Sequence, residues 1–558
     1  MSDNRRTGGR ILVDQLRLHG ADLVFGVPGE SYLAVLDAMY DTPELRFVIC
    51  RQEGGVAMMA EAYGKLTGRP GIAMVTRGPG ATNASSGVHV AQQDSTPMIL
   101  FIGQIERAAW GRDAFQEVDY VRMFGGIAKW VAQIESAERI PEYIHRAFMT
   151  ATAGRPGPVV LALPEDMLVE RAAVDDGRPW QRLDAYPDPA VIADVRQMLA
   201  GAQRPLVILG GGGWSAQAAA DIRTFAENNE VPVAAGFRRQ DYFDNTHPCY
   251  AGDLGVGADP KLVKRVGEAD LIIAIGTRLS EMTAQAYNLL AIPRPKQQLV
   301  HIHADPEELG RVYQPDIAIN AGMRGAASAL ASVLPIEPRP WAGWTAAAHR
   351  DYLDYIKPVA SPGPLQMGEV MAHLRERLPE DAIITNGAGN YAVWATRFYP
   401  YRRFRSQLAP TSGSMGYGLP AAVAASLACP DRTVVCFAGD GCLMMTVQEL
   451  ATAVQYGCRL VVLVVNNGMY GTIRMHQERE YPTRVSGTEL HNPDFAALAR
   501  ACGAFGTRVE RTADFPQALE EALASGGPAL IELKVDPEAL TVRASLSQIR
   551  NAALAAGR

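Results

Sequence analysis

At 558 residues the chain has room for about three domains of ordinary size, each long enough to bury its own core. A hydrophobic fraction of 48% and a charged fraction of 20% exclude a disordered chain. Lys and Arg number 53 against 60 Asp and Glu, a net charge of −7 with no long basic run, so the expected partner is a small molecule and not a nucleic acid or an anionic membrane.

The polar start MSDNRRTGG leads into ILVDQLRLHG (11–20), which reads as an amphipathic helix and not as a signal peptide. The seven cysteines are scattered without a CxxC pair, and the apolar runs fall far short of the ~18 residues a membrane span needs, so a reducing cytoplasm is the expected location. Short Val/Ile/Leu-rich runs follow one another along the chain: GIAMV (71–75), PMILFIG (97–103), PVVLALP (158–164), PLVIL (205–209), LIIAI (271–275), LVHIH (299–303), AIITN (382–386), TVVCFAG (433–439), LVVLVV (460–465) and ALIELKV (529–535). Runs of this kind are expected where both faces of a parallel sheet are covered by helices, which predicts an α/β fold. Linker-like stretches at 172–190 and 335–344 divide the runs into thirds, giving expected domains at 1–175, 190–335 and 360–558.

The residues after each run carry the chemistry, because ligands of open parallel sheets sit beyond the carboxyl ends of the strands. TVVCFAGDG ends in Gly439, Asp440 and Gly441, and LVVLVVNNG ends in Asn466 and Asn467. The gap between them is enough for one crossover helix, so two neighbouring strand ends bring a carboxylate and a carboxamide oxygen to one point. Hard oxygen ligands suit Mg²⁺, which keeps phosphate oxygens in its shell, and the glycines let backbone N–H groups approach a phosphate at the following helix N-terminus. Either half alone reads as a helix-capping Asp or an Asn turn; together they predict a diphosphate held through Mg²⁺.

Here the sequence resembles the thiamine diphosphate enzymes, whose cofactor motif is GDG, a gap of this size and NN. Over nearly the whole chain it is most similar to acetohydroxyacid (acetolactate) synthase catalytic subunits, through GVPGE (26–30), RQEGGVAMMAEAYGKLTG (51–68), VTRGPGATN (75–83), GRDAFQE (111–117), GRPGPVVLALPED (154–166) and SMGYGLPAA (414–422). The resemblance implies a thiamine diphosphate-binding fold of three α/β domains: a pyrimidine-binding domain first, a central nucleotide-binding-like domain, and a diphosphate-binding domain last. It implies Mg²⁺ on Asp440, Asn467 and the main-chain oxygen of Met469, and a cofactor lined by Gly413, Met415, Gly439, Gly441, Cys442, Asn467, Met469 and Gly471. Met415 is the apolar wedge under the bent cofactor; Cys442 and Cys436 read equally as packing thiols. Glu53 is the implied proton partner of the cofactor's pyrimidine ring, and its setting in a small-residue helix favours a desolvated, protonated carboxyl. Phe115 and Gln116 are implied beside the reacting carbon, Gln116 as a hydrogen-bond donor to a substrate oxygen. Gly78, Pro79, Gly80 and Asn83 form a turn serving packing as much as catalysis.

The implied reaction is decarboxylation of a 2-oxo acid such as pyruvate with carboligation to a second carbonyl, by a homodimer or homotetramer whose sites form across subunits. The alternatives are a 2-hydroxyacyl-CoA lyase or oxalyl-CoA decarboxylase and, in another class, a non-catalytic cofactor-binding regulator. Three positions depart from the synthases: His476 stands for an acceptor-selecting Trp, Glu165 for a Lys, and Arg77 for a Ser, the last a cation for a carboxylate or phosphate or else an ion-pair partner. In the central third, GGGG (210–213) after PLVIL could hold FAD, ADP or coenzyme A, or nothing; of the synthases' RxDDR element only Arg278 is kept, in RLSEM (278–282). His301 and His303 share one strand face without the further ligands a metal site needs.

Overall fold

The computed structural model describes residues 5–557. Each of the ten apolar runs is a strand, and with eight further strands they form three six-stranded sheets, parallel throughout. The first sheet lies between Leu23 and Pro164, the second between Pro205 and Asn320, and the third between Ile383 and Lys534. Numbered within each sheet in chain order, the first and third have the same strand order, 2-1-3-4-6-5, and the second has 3-2-1-4-5-6. The chain divides into two compact units, one ending at Leu183 that also takes in Val423–Ala428, the other carrying both the second and the third sheets.

The apolar runs are continuous because both faces of the inner strands are buried. In strand Pro205–Leu209, Val207 and Leu209 belong to one core cluster and Leu206 and Ile208 to another. Strand Leu460–Asn466 has every residue buried, Val461, Leu463 and Val465 on one side and Val462 and Val464 on the other. Most strands without such a run are edges: Arg46–Ile49, Trp130–Gln133, Tyr250–Asp253, Ile317–Asn320, Gln407–Leu408 and Phe505–Val509. An edge strand is covered less completely, so its sequence stays mixed. The amphipathic segment near the start is helix Gly8–Leu18, capped by the Thr7 side chain on the Arg10 N–H at 3.2 Å.

The chain ends in helix Leu546–Ala555, which opens with a reciprocal Ser545–Gln548 cap and packs on helix Gly471–Glu480. Glu478 fixes that packing. Its side chain is fully buried and accepts from Arg550 at 2.8 and 2.7 Å, from Arg474 at 3.0 Å and from the Thr483 N–H at 3.0 Å. The Arg550 hydrogen bonds lead the causes that hold this carboxyl at about 2, against an ordinary 4.5. A lowered folded-state value means that the stabilisation is complete above about pH 4.5 and is lost as the pH falls toward 2. Arg550→Ala should therefore cost on the order of 2 kcal/mol at neutral pH, since Arg474 and the Thr483 N–H remain on the carboxylate. Urea denaturation of both proteins along an acid series should show the difference shrinking toward pH 2.

Candidate functional site

Strands Val434–Gly439 and Leu460–Asn466 are hydrogen-bonded neighbours with Gly439 opposite Val465, so the segments leaving their carboxyl ends emerge side by side. Strand Ile383–Asn386 is the other neighbour of Val434–Gly439, and the order reverses between those two, which is where open α/β sheets bind ligands. A cavity of about 230 Å³ opens there. Gly413, Met415, Gly439, Asp440, Gly441, Cys442, Asn467, Met469 and Gly471 all line it, so every cofactor and metal residue expected of this half of the chain is gathered at one place. Val465, Val535, Ala539 and Leu540 add an apolar wall, and Ala388, Asn390, Tyr391 and Trp394 close the side of strand Ile383–Asn386.

Asp440 is 3% exposed. One carboxylate oxygen accepts the Gly441 N–H at 2.9 Å; the other accepts the Gly468 N–H at 2.9 Å and the Asn492 amide at 2.7 Å. Burial still wins over these bonds and pushes the carboxyl above its ordinary range. The Asn467 side-chain oxygen accepts the Met469 N–H at 3.2 Å, which folds the loop back beside Asp440. Gly441 must be glycine: a Cβ would stand 2.6 Å from the ring of Tyr470. A carboxylate, a carboxamide and a backbone oxygen make a hard, singly charged donor set with room for phosphate oxygens, and this fits a magnesium diphosphate. Among the described residues no cluster of three His, Cys, Asp or Glu side chains offers a softer alternative.

Sequence reasoning missed four participants. Tyr391 sends its hydroxyl to Cys442 Sγ at 3.1 Å and accepts the Gly387 N–H at 3.1 Å, tying two strand ends together; Cys442 Sγ also accepts the Gly416 N–H at 3.2 Å. Cys436 is the packing thiol, and burial pushes it up to about 12. The other three are Asn492, Glu532 and Arg508. Asn466 turns away from the cavity and donates to Glu532 at 2.7 Å, while Glu532 accepts from Arg508 at 3.0 Å. The segment holding Asn492 pairs with the loop after the Asn pair: Tyr470 N–H to Thr488 O at 2.8 Å and Leu490 N–H to Gly468 O at 2.9 Å. No spacing rule reaches these residues, which come from 52 to 92 positions after Asp440.

In the N-terminal unit Glu53 is the first residue of helix Glu53–Thr67, whose start is capped by Gln52 on the Gly55 N–H at 3.1 Å. Its side chain is half-buried and accepts from Asn83 at 2.9 Å, giving Asn83 a definite partner. The loop of GRDAFQE is closed by Glu117 on the Gly111 and Ala114 N–H groups at 2.7 and 2.9 Å, and these bonds lower the Glu117 carboxyl. That closure presents Phe115 at 73% exposure and holds Gln116 at a φ of 66°, a conformation that costs a non-glycine residue free energy and is common at functional sites. Arg77 is 7% exposed and meets Glu30 at 2.9 Å and Glu165 at 3.2 Å. Two of the three departures from the synthases are therefore partners of each other. His476 is exposed, outside the cavity lining, with its Nδ1 2.6 Å from Arg479; partial burial and then the Arg479 charge lower its pKa.

In the second sheet the Gly-rich turn serves close packing. A Cβ on Gly211 would lie 1.9 Å from the Gly276 carbonyl, and the Gly211 carbonyl accepts from Arg239 at 2.9 Å and Tyr242 at 2.8 Å. His301 and His303 are both buried, one against the Thr277 carbonyl at 2.9 Å and the other accepting the Asp305 N–H at 3.0 Å.

Comparison with known proteins identifies the family. Residues 6–123 match the family model described as thiamine pyrophosphate enzyme, N-terminal TPP binding domain; residues 192–330 match the central domain; and residues 387–533 match the C-terminal TPP binding domain. The chain is 34% identical to acetolactate synthase isozyme 2 large subunit of Escherichia coli (strain K12), covering 95% of each chain. It is 33% identical to an acetolactate synthase large subunit of Parasynechococcus marenigrum (strain WH8102), over 95% of this chain and 87% of that one. It is 30% identical to the mitochondrial acetolactate synthase catalytic subunit of Saccharomyces cerevisiae (strain ATCC 204508 / S288c), over 95% and 81%.

Tyr391→Phe keeps the ring and removes the hydroxyl that serves both Gly387 and Cys442, leaving a buried N–H unpaired. The expected loss is about 1–2 kcal/mol of stability, read by urea denaturation.

Proposed function

We propose, for a chain that belongs to the thiamine pyrophosphate enzyme family, that it decarboxylates pyruvate or a close 2-oxo acid and joins the acyl unit to a second 2-oxo acid, the acetolactate synthase reaction. The observation that carries this reading is the convergence of Asp440, Asn467 and Met469 on one cavity at the ends of adjacent strands. Thiamine diphosphate, when bound, supplies the electron sink that decarboxylation of a 2-oxo acid requires.

The chain's own residues supply the rest. Asp440, the Asn467 side-chain oxygen and the Met469 carbonyl would hold Mg²⁺, which would in turn anchor the diphosphate. The Gly441 region lets the backbone approach the phosphates. Met415 would pack against the cofactor, and Val465 and Leu540 would keep water from that side of the cavity. Glu53, oriented by Asn83 on one of its oxygens, would exchange a proton with the cofactor's pyrimidine nitrogen. Gln116 donates to the substrate carbonyl oxygen as negative charge develops there. The functional assembly is a homodimer or homotetramer. Arg77, already met by Glu30 and Glu165, is not available to recruit a substrate carboxylate.

Incubation with pyruvate, thiamine diphosphate and Mg²⁺, followed by mass spectrometry, tests the reading. Two pyruvate molecules should give one acetolactate and one CO₂, and Glu53→Gln should lower turnover by about 10²-fold or more while cofactor affinity changes little. Release of free aldehyde without ligation, or wild-type turnover in the variant, would contradict it.

A further inference from the structure

Behind Asp440 lies a chain of side chains whose hydrogen-bond directions are all determined. Glu532 is 1% exposed and its carboxylate can only accept, so the Asn466 amide must present its nitrogen there, at 2.7 Å. That turns the Asn466 oxygen the other way, where it accepts the Gly468 N–H and the Asn492 nitrogen, both at 3.1 Å. The second hydrogen of the same Asn492 nitrogen goes to Asp440 Oδ2 at 2.7 Å. Arg508 compensates the Glu532 charge from the far side at 3.0 Å. Two acceptor-only carboxylates are thus joined through two amides.

The consequence falls on Asp440. A carboxylate has about four lone-pair positions. Gly468 and Asn492 occupy both on Oδ2, and Gly441 occupies one on Oδ1. We infer that Asn492 is a positioning residue that saturates Oδ2 and leaves a single direction on Oδ1 for a divalent cation, with Asn466 and Glu532 fixing its orientation. This rests on the cation reading of Asp440 given above. The antiparallel pairing of Thr488–Leu490 with Gly468–Tyr470 is the backbone device that brings Asn492 to the site.

Loss of a partner that orients a metal ligand typically weakens metal binding by about 10- to 100-fold. Titration calorimetry of the full chain with MgCl₂, in excess thiamine diphosphate, should show that loss for Asn492→Ala, while the melting temperature of the metal-free protein moves by no more than about 4 °C. Asn466→Ala should also weaken Mg²⁺ binding, and the double variant should lose no more than the larger single, because both act through one carboxylate. Asn492→Ser keeps one short donor, should fall between wild type and Asn492→Ala, and serves should the alanine variant fail to fold. Asp440→Ala separates the two levels of the argument. If it abolishes binding while the Asn492 variants stay within about twofold of wild type, or if the double variant loses the product of the two singles, the positioning role is wrong and the cation site stands. If Asp440→Ala binds Mg²⁺ as wild type does, the cation reading fails and this inference fails with it.

Discussion

Asp440 is a carboxylate withdrawn from water at the point where two parallel strands end, and three hydrogen bonds do not offset the cost of burying it, since its carboxyl is still raised. A buried carboxylate in that condition is suited to a cation, which is the reading proposed above for this site. The local architecture is arranged around this need: Gly439 ends one strand beside Val465, Gly441 lets the Tyr470 ring close in, and the loop after Asn466 folds back through Asn467 to present a second oxygen and a main-chain carbonyl. Val465, Val535, Ala539 and Leu540 make one wall apolar, so a diphosphate there would meet a cation and backbone N–H groups in a setting where charge interactions are strong.

The sheets explain why such a point exists. In the third sheet the strand order reverses between Ile383–Asn386 and Val434–Gly439, and the crevice this leaves at their carboxyl ends is the cavity. The first sheet repeats the same order, and its corresponding turn carries Thr76, Arg77 and Gly78, while Glu53 starts the helix after edge strand Arg46–Ile49. One topology is thus used twice with different residues at the turns: Asp440 with its three hydrogen bonds in one case, and in the other Glu53 with its Asn83 partner. In the second sheet the glycines at the reversal are consumed by packing, Gly211 against Gly276.

The inner strands were legible in the sequence because burial on both faces demands an unbroken apolar run, as in LVVLVV. Edge strands such as Phe505–Val509 were not, since Arg508 sits in a half-covered position and breaks the pattern. At the site, residues that touch the cavity next to a strand end were readable from type and spacing: Asp440, Asn467 and Gly441. The residues that orient them were not, because Asn492 and Glu532 reach Asp440 through folding of distant segments and carry no local signature. Tyr391 was missed for the same reason, its hydroxyl acting between backbone and sulfur far apart in sequence. Arg77 and Glu165 each read as an isolated departure from the synthases; only the fold reveals that they form one ion pair.

The central claim is that cofactor binding is an interaction with a metal held at Asp440 and not with the cavity wall alone. Titrating the wild-type protein with thiamine diphosphate, once with Mg²⁺ and once with EDTA, addresses it directly. The account predicts that removing the divalent ion weakens binding by at least about 100-fold, equivalent to about 2.7 kcal/mol. Equal affinity in the two titrations would contradict it.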